Sequence, residues 1–197
     1  FADIFSCTTC RTEVNLWDHG RDGDGRLIGH LTCPSCHATL DKNVLSWVRS
    51  DARVVSYSCL EGCTGGRRER SATDADVARL AEVERVSLPG WVPEKPFGPD
   101  WEMWRQGHAD RAIGRVCDFF TARNLRALAA IHDWINRYSD ARVRAGLLFA
   151  FTGCVNRASK RYQWNQKRPT NVLSGTLYVS SLFYEFNVFR LFERKVR

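Results

Sequence analysis

The sequence predicts an α+β chain, with a small antiparallel β region at the front and a mainly helical region behind it. Three observations carry that expectation. Short stretches of alternating polar and apolar residues fill positions 1–63, as half-buried strands require. Four prolines, Pro89, Pro93, Pro96 and Pro99, together with Gly90 and Gly98, interrupt any regular structure over 87–100. Beyond them, apolar residues recur at helical spacing to the end of the chain.

Two C-x-x-C pairs organise the front, Cys7 with Cys10 and Cys33 with Cys36. A C-x-x-C turn sets two thiolates on one side of a tight loop. Two such turns supply the four sulfur ligands of a structural zinc site, so zinc is the cofactor these residues predict and the β region reads as a zinc ribbon. Thr12 to Trp17 alternates as a strand, 20–25 is a Gly- and Asp-rich turn, and Arg26 to Thr32 returns toward the second pair. The expectation is a hairpin whose two ends carry the ligands. Asp18, Asp22 and Asp24 do not match a calcium loop, because the carboxylates miss the required register and no bidentate Glu follows. His30 and His37 flank the second pair but read as surface residues, since four thiolates already complete a tetrahedron.

Arg53 to Cys59 reads as a further strand and 64–70 as a loop. Cys59 and Cys63 form a third pair, which is half of a four-ligand site. Either it is idle or its partners lie outside the chain. Cys117 and Cys154 stand alone in helical patterns and read as small core residues. A helix is expected over 74–86, with Thr73 as N-cap and Val77, Leu80, Ala81 and Val83 near one face. The Pro-rich stretch is the best internal boundary. Three segments follow from this: 1–70, the ribbon; 71–115, a helix and the Pro-rich crossing; and 116–197, a helical region with a basic end. In the last, Thr121 caps a helix through Tyr138 and Asp140 caps another to about Arg161. Its apolar side carries Leu147, Leu148, Phe151, Cys154, Val155 and Ala158. Residues 175–179 look strand-like, and a final helix runs from about Glu185.

The net charge is +7. Residues 155–197 hold 9 Lys/Arg against 2 Asp/Glu, and the rest of the chain is balanced. A localised basic field favours polyanions. Arg157, Lys160, Arg161, Lys167 and Arg168 surround Trp164 and Asn165, a mixture suited to phosphate contact and base stacking, so nucleic acid is the expected partner. No phosphate-cradling loop, dinucleotide fingerprint, H-E-x-x-H or G-x-S-x-G motif occurs. His108 and His132 read as structural. The paired thiols suit a reducing compartment, so a cytoplasmic location is expected, and no apolar run is long enough to span a membrane. The first residue is Phe1 and the last residues read as helix, which makes the chain look like a piece of a longer protein.

Several longer runs resemble one known family. Ile4-Phe5-Ser6-Cys7-Thr8-Thr9-Cys10, Leu31-Thr32-Cys33-Pro34-Ser35-Cys36 and Tyr57-Ser58-Cys59 through Arg70 are similar to three cysteine knuckles. Val116-Cys117-Asp118-Phe119-Phe120-Thr121-Ala122-Arg123-Asn124-Leu125-Arg126-Ala127-Leu128-Ala129-Ala130 is more specific. So are Leu147-Leu148-Phe149-Ala150-Phe151-Thr152 and Leu173-Ser174-Gly175-Thr176-Leu177-Tyr178-Val179. In this order they resemble the middle segment of bacterial and archaeal S-adenosylmethionine-dependent DNA methyltransferases, which methylate an exocyclic amine of adenine or cytosine. The resemblance implies a zinc-binding insert followed by helices that pack on the rest of a larger α/β methyltransferase. It also implies that the S-adenosylmethionine turn lies upstream and the Asp-Pro-Pro catalytic motif downstream, so that no catalytic residue falls in this chain. A cysteine pair upstream of Phe1 would complete the half-site at Cys59 and Cys63. The chain departs from the family in the three residues between those two cysteines, where two are usual, and in His37, where glycine is usual. The rival expectation is a free-standing zinc-ribbon adaptor that binds nucleic acid or protein without enzymatic activity.

Overall fold

The computed structural model describes residues 1–41, 43–58, 67–88, 90–165 and 172–197. It is mixed α and β with small antiparallel sheets, and it divides into two units, Phe1–Glu82 and Val83–Arg197. The expected boundary at the Pro-rich stretch is therefore displaced. The division falls earlier, and the Pro-rich stretch belongs to the second unit.

The first unit holds β1 (Ala2–Ser6), β2 (Glu13–Asn15), α1 (Leu16–His19), β3 (His30–Thr32), β4 (Thr39–Asp41), β5 (Ser46–Asp51), β6 (Val54–Ser58) and β7 (Arg67–Ser71). β1 lies between β2 and β5, β3 pairs with β4, and β6 pairs with β7, all antiparallel. Being central, β1 is buried along nearly its whole length, Asp3 included. The Asp3 carboxylate accepts hydrogen bonds from Trp47 Nε1 (3.1 Å) and Ser50 Oγ (2.7 Å) on β5, the partners a buried carboxylate needs. Ile4, Phe5, Val14, Leu16, Leu31, Leu40 and Leu45 form the small apolar interior.

Three expectations are corrected here. The strand over 12–17 stops at Asn15, whose Oδ1 accepts from Trp17 N at 2.7 Å and so caps α1 instead of extending the strand. The hairpin between 12–17 and 26–32 does not form: β2 pairs with β1 and β3 with β4, and only an isolated bridge, Arg21 to Leu27, spans the turn. Each C-x-x-C turn instead closes a hairpin of its own. Residues 67–70 are strand rather than loop. β7 pairs with β6 from Ser58↔Arg67 to Val54↔Ser71, and the side chains of Arg68, Glu69 and Arg70 stand in solvent, so no apolar alternation announced it.

α2 (Asp74–Arg85) follows at the junction of the units, and the division falls within it. Thr73 precedes it, with its hydroxyl and amide both donating to the Asp76 carboxylate at 2.8 Å. The apolar face expected on α2 is not a core face: none of its residues is buried, and Val77 is half exposed.

The second unit is held by α4 (Ala122–Asn136), α5 (Ala141–Ala158) and α6 (Val188–Val196), preceded by the short α3 (Gln106–Ala109) and a 3-10 turn at Val116–Phe119. Two caps are the expected ones: Thr121 accepts from Asn124 N (3.3 Å) and Asp140 from Arg142 N (2.8 Å) and Val143 N (3.0 Å). Asn187, which the sequence reading did not name, accepts from Arg190 N (3.1 Å). Leu128, Ile131, Ile135, Ala150, Cys154, Val188 and Phe192 interlock along the helices. The Pro-rich stretch contributes Phe97, which is buried and meets Phe119 and His108 edge-on at 5.2 and 5.1 Å.

The strand expected over 175–179 is absent. Among the described residues no strand pairs with it, and side chains take two of its carbonyls. His108 Nε2 meets Leu177 O at 2.9 Å and an Arg161 guanidinium nitrogen meets Thr176 O at 2.6 Å. α6 starts at Val188 and not near Glu185, because the buried Glu185 carboxylate is held by the Thr121 hydroxyl (2.5 Å) and Arg123, and Asn187 caps the helix. Among the described residues no helix is long and apolar enough to cross a membrane.

Candidate metal centre

The two cysteine turns are built alike. In the first, which joins β1 to β2, Cys7 N donates to Thr12 O (2.9 Å) and Arg11 N to Cys7 O (2.9 Å). In the second, which joins β3 to β4, Cys33 N donates to Ala38 O (3.0 Å) and His37 N to Cys33 O (3.0 Å). The residue after each second cysteine is left-handed, Arg11 at φ 62° and His37 at φ 58°. That conformation turns the chain sharply enough to aim both thiols of a pair the same way. It also costs a side chain that glycine would not carry.

The four Sγ atoms converge, all within 4.8 Å of one another. Cys7 Sγ lies 3.7 Å from Cys36 Sγ, and Cys10 Sγ lies 3.5 Å from Cys33 Sγ. A tetrahedron with Zn–S bonds of about 2.3 Å has S–S edges of about 3.8 Å, so these separations fit the ion. They are too long for a disulfide, and all four thiols are free. Cys7 and Cys33 are buried, Cys36 is half buried and Cys10 is exposed, so one edge of the cluster faces water. His30 and His37 are exposed and do not join the group.

The electrostatics favour a cation. The Cys10 backbone amide, with that of Thr9, holds the Cys7 thiol below its ordinary value. The Thr12 hydroxyl, 3.3 Å from Cys10 Sγ, and the Thr12 amide bring the Cys10 thiol down to about 6. The Ala38 amide acts on Cys36 in the same direction, yet burial and the neighbouring Cys10, Cys33 and Cys7 sulfurs push that thiol up to about 12. Amides and a hydroxyl thus prepare part of the cluster for ionisation, and sulfur crowding opposes the last proton's departure. A divalent ion at the centre removes that opposition. Four protein ligands leave no open position for water or substrate, so the chemistry of such a site is structural, not catalytic.

The remaining predicted residues fall elsewhere. Cys59, Cys63, Lys167 and Arg168 lie outside the described residues. Cys117 and Cys154 are buried core thiols, as read from the sequence. Of the basic residues, Lys160 and Arg161 hydrogen-bond within the fold: Lys160 Nζ donates to Asp118 O at 2.9 Å, and the Arg161 guanidinium donates to Asn156 Oδ1 and the carbonyls of Leu173 and Thr176. Trp164 and Asn165 are tied to the neighbouring backbone, Trp164 N to Leu182 O at 2.9 Å and Asn165 O to the Tyr184 hydroxyl at 3.5 Å. Arg157 is exposed on α5. His108 is a satisfied core histidine, its Nδ1 accepting from Arg105 N at 2.9 Å, whereas His132 is half buried between the rings of Trp91 and Phe151.

Sequence reasoning missed Arg11 and Thr12. The signal was the equal spacing of the two turns, which gives Arg11 the role of His37 and Thr12 the role of Ala38. Comparison with family models, curated proteins and solved structures returned no match.

Proposed function

We propose that this chain is the zinc-binding, DNA-contacting segment of an S-adenosylmethionine-dependent DNA methyltransferase. On this reading Cys7, Cys10, Cys33 and Cys36 hold zinc in a ribbon that stabilises the first unit. The helical unit contributes DNA contacts and a packing surface for the remainder of the enzyme. Methyl transfer itself belongs to parts of the protein outside these residues. The observation that carries the reading is the convergence of four sulfurs on two equivalent turns, at separations matching a tetrahedral ion. The order of the methyltransferase-like runs along the sequence and the basic excess over 155–197 support the rest.

Two measurements test it. Metal analysis of protein purified under reducing conditions should find one zinc per chain at this cluster, lost in Cys33→Ser. Calorimetry should show no binding of S-adenosylmethionine by the chain alone, whereas the encoding frame should carry a Gly-rich cofactor turn upstream and an Asp-Pro-Pro motif downstream. One-site cofactor binding by this segment, or flanks without those motifs, would overturn the methyltransferase assignment and leave a zinc-ribbon adaptor.

A further inference from the structure

α5 carries Phe149, Gly153 and Arg157 at four-residue spacing, which sets them in a row along one face. Phe149 is 83% exposed, the most exposed large apolar side chain among the described residues. Covering such a ring removes apolar area from water, so a partner laid over it gains binding energy there. At the next turn, Gly153 leaves room for a neighbour. A Cβ there would stand 3.5 Å from Lys195 Cε and 3.8 Å from its Nζ. The Lys195 stem, from the last turn of α6, therefore lies across α5 at that point. Its ammonium is one turn from Arg157, and both cations act on the Cys154 thiol beneath them.

Two like charges thus belong to the same stretch of α5, Lys195 over Gly153 and Arg157 one turn further along. Neither meets a carboxylate among the described residues, and the one acid on α6, Glu193, is already taken by Arg190 (3.6 Å) and Arg197 (2.5 Å). The contrast with Lys160 and Arg161 is direct, because those head groups are committed to backbone carbonyls. The geometry points to a nucleic-acid strand lying along this row of α5, with phosphates on Arg157 and Lys195 and an unpaired base stacked on Phe149. This rests on the reading of the chain as DNA-contacting and moves the contact from the 160–168 loop to α5 and α6. Charge decides the occupant. A ring flanked on its own helix by Ala145, Gly146, Thr152 and Gly153, near two cations that meet no carboxylate among the described residues, suits a polyanion with exposed bases better than an apolar protein face. A base-modifying enzyme must also handle a base out of its stack.

The test uses the zinc-loaded chain, a fluorescently labelled mixed-sequence single strand and its duplex, with anisotropy read at several salt concentrations. Arg157→Ala and Lys195→Ala should each flatten the single-strand salt slope by about 0.7. Phe149→Ala should weaken single-strand binding about fivefold or more, with the slope unchanged. Arg161→Ala should lower the melting temperature and leave the slope alone. Wild-type slopes in both cation variants, or wild-type affinity in Phe149→Ala, would overturn the inference while DNA binding by the parent chain stands. A Phe149→Ala change in sedimentation with DNA affinity intact would assign the ring to a protein contact and overturn it too. A wild-type chain that holds zinc but binds neither probe removes both the inference and the DNA-contacting role beneath it.

Discussion

The two units solve the same problem with different means. Val83–Arg197 buries a continuous interior of aromatic and aliphatic side chains between α4, α5, α6 and the Phe97 loop. Among its described residues Phe1–Glu82 has three small separate sheets and a handful of buried aliphatic residues around β1, and two of its most buried side chains are Cys7 and Cys33. Small strands of this kind bury too little apolar surface to offset the entropy of ordering them. The positions that a larger domain fills with Leu or Phe are filled here by sulfur. The difference teaches where each unit has support to draw on, packing for the second and, for the first, a four-cysteine cluster placed so that an ion could cross-link it.

The sharpest way to break that comparison is to remove the ion. Structural zinc contributes about 10–16 kcal/mol in small zinc-binding folds. Chelation, or Cys33→Ser, should therefore unfold the first unit outright, while hydrogen exchange in α4 and α5 stays slow. The reciprocal change is Ile135→Ala, at a residue with no exposed surface on α4. It should cost the second unit about 2–5 kcal/mol and leave zinc content unaltered. Exchange mass spectrometry resolves both outcomes by segment. Loss of α4 and α5 protection on chelation would show that the units do not stand on separate supports.

What the sequence revealed divides along the same line. The four-cysteine cluster was legible because C-x-x-C spacing is a local property that survives any change in the surrounding strands. The helices α4 and α5 were legible with their caps, because Thr121 and Asp140 act on amides two or three residues away. The pairing of strands was not. Whether β2 turns back to β1 or forward to β3 depends on which hairpin each cysteine turn closes, and alternation within a strand says nothing about its neighbour. β7 was invisible because a solvated two-stranded ribbon needs no apolar face. Residues 175–179 looked like a strand by composition, yet their carbonyls are taken by His108 and Arg161 from distant segments, a long-range fact that no local pattern contains.

A smaller effect concerns acid. The Cys10 thiol, held near 6 by Thr12, has a folded value below its unfolded one of 9.0. Its contribution is therefore present above pH 9 and is lost as the pH falls toward 6 and below. Zinc binding requires the thiolate, so the metal should leave as acid protonates the cluster. Thr12→Val removes the hydroxyl and keeps a strand-compatible shape. It should move the midpoint of acid-driven zinc release upward by less than about one pH unit, measured with a colorimetric zinc indicator. The second unit, which has no sulfur cluster among its described residues, should hold its fold through that release. An unmoved midpoint would mean that the Thr12 hydroxyl does not tune the ligand.

The finest distinction lies in the two left-handed residues. Arg11 and His37 occupy equivalent positions, and each places a Cβ where the backbone disfavours one, at a cost of about 1–2 kcal/mol relative to relaxed geometry. Glycine removes that cost but adds freedom to the unfolded chain, so Arg11→Gly and His37→Gly should each stabilise the zinc-bound first unit by only about 0.5–1 kcal/mol. Gly25, at φ 77° in the 20–25 turn, offers the opposite substitution in the same unit, and Gly25→Ala should destabilise it by a similar amount. Urea titration of the zinc-loaded chain, followed at Trp17 and Trp47, distinguishes the signs. If both glycine variants lowered stability, the side chains of Arg11 and His37 would have to contribute more to the cluster than their exposed positions show.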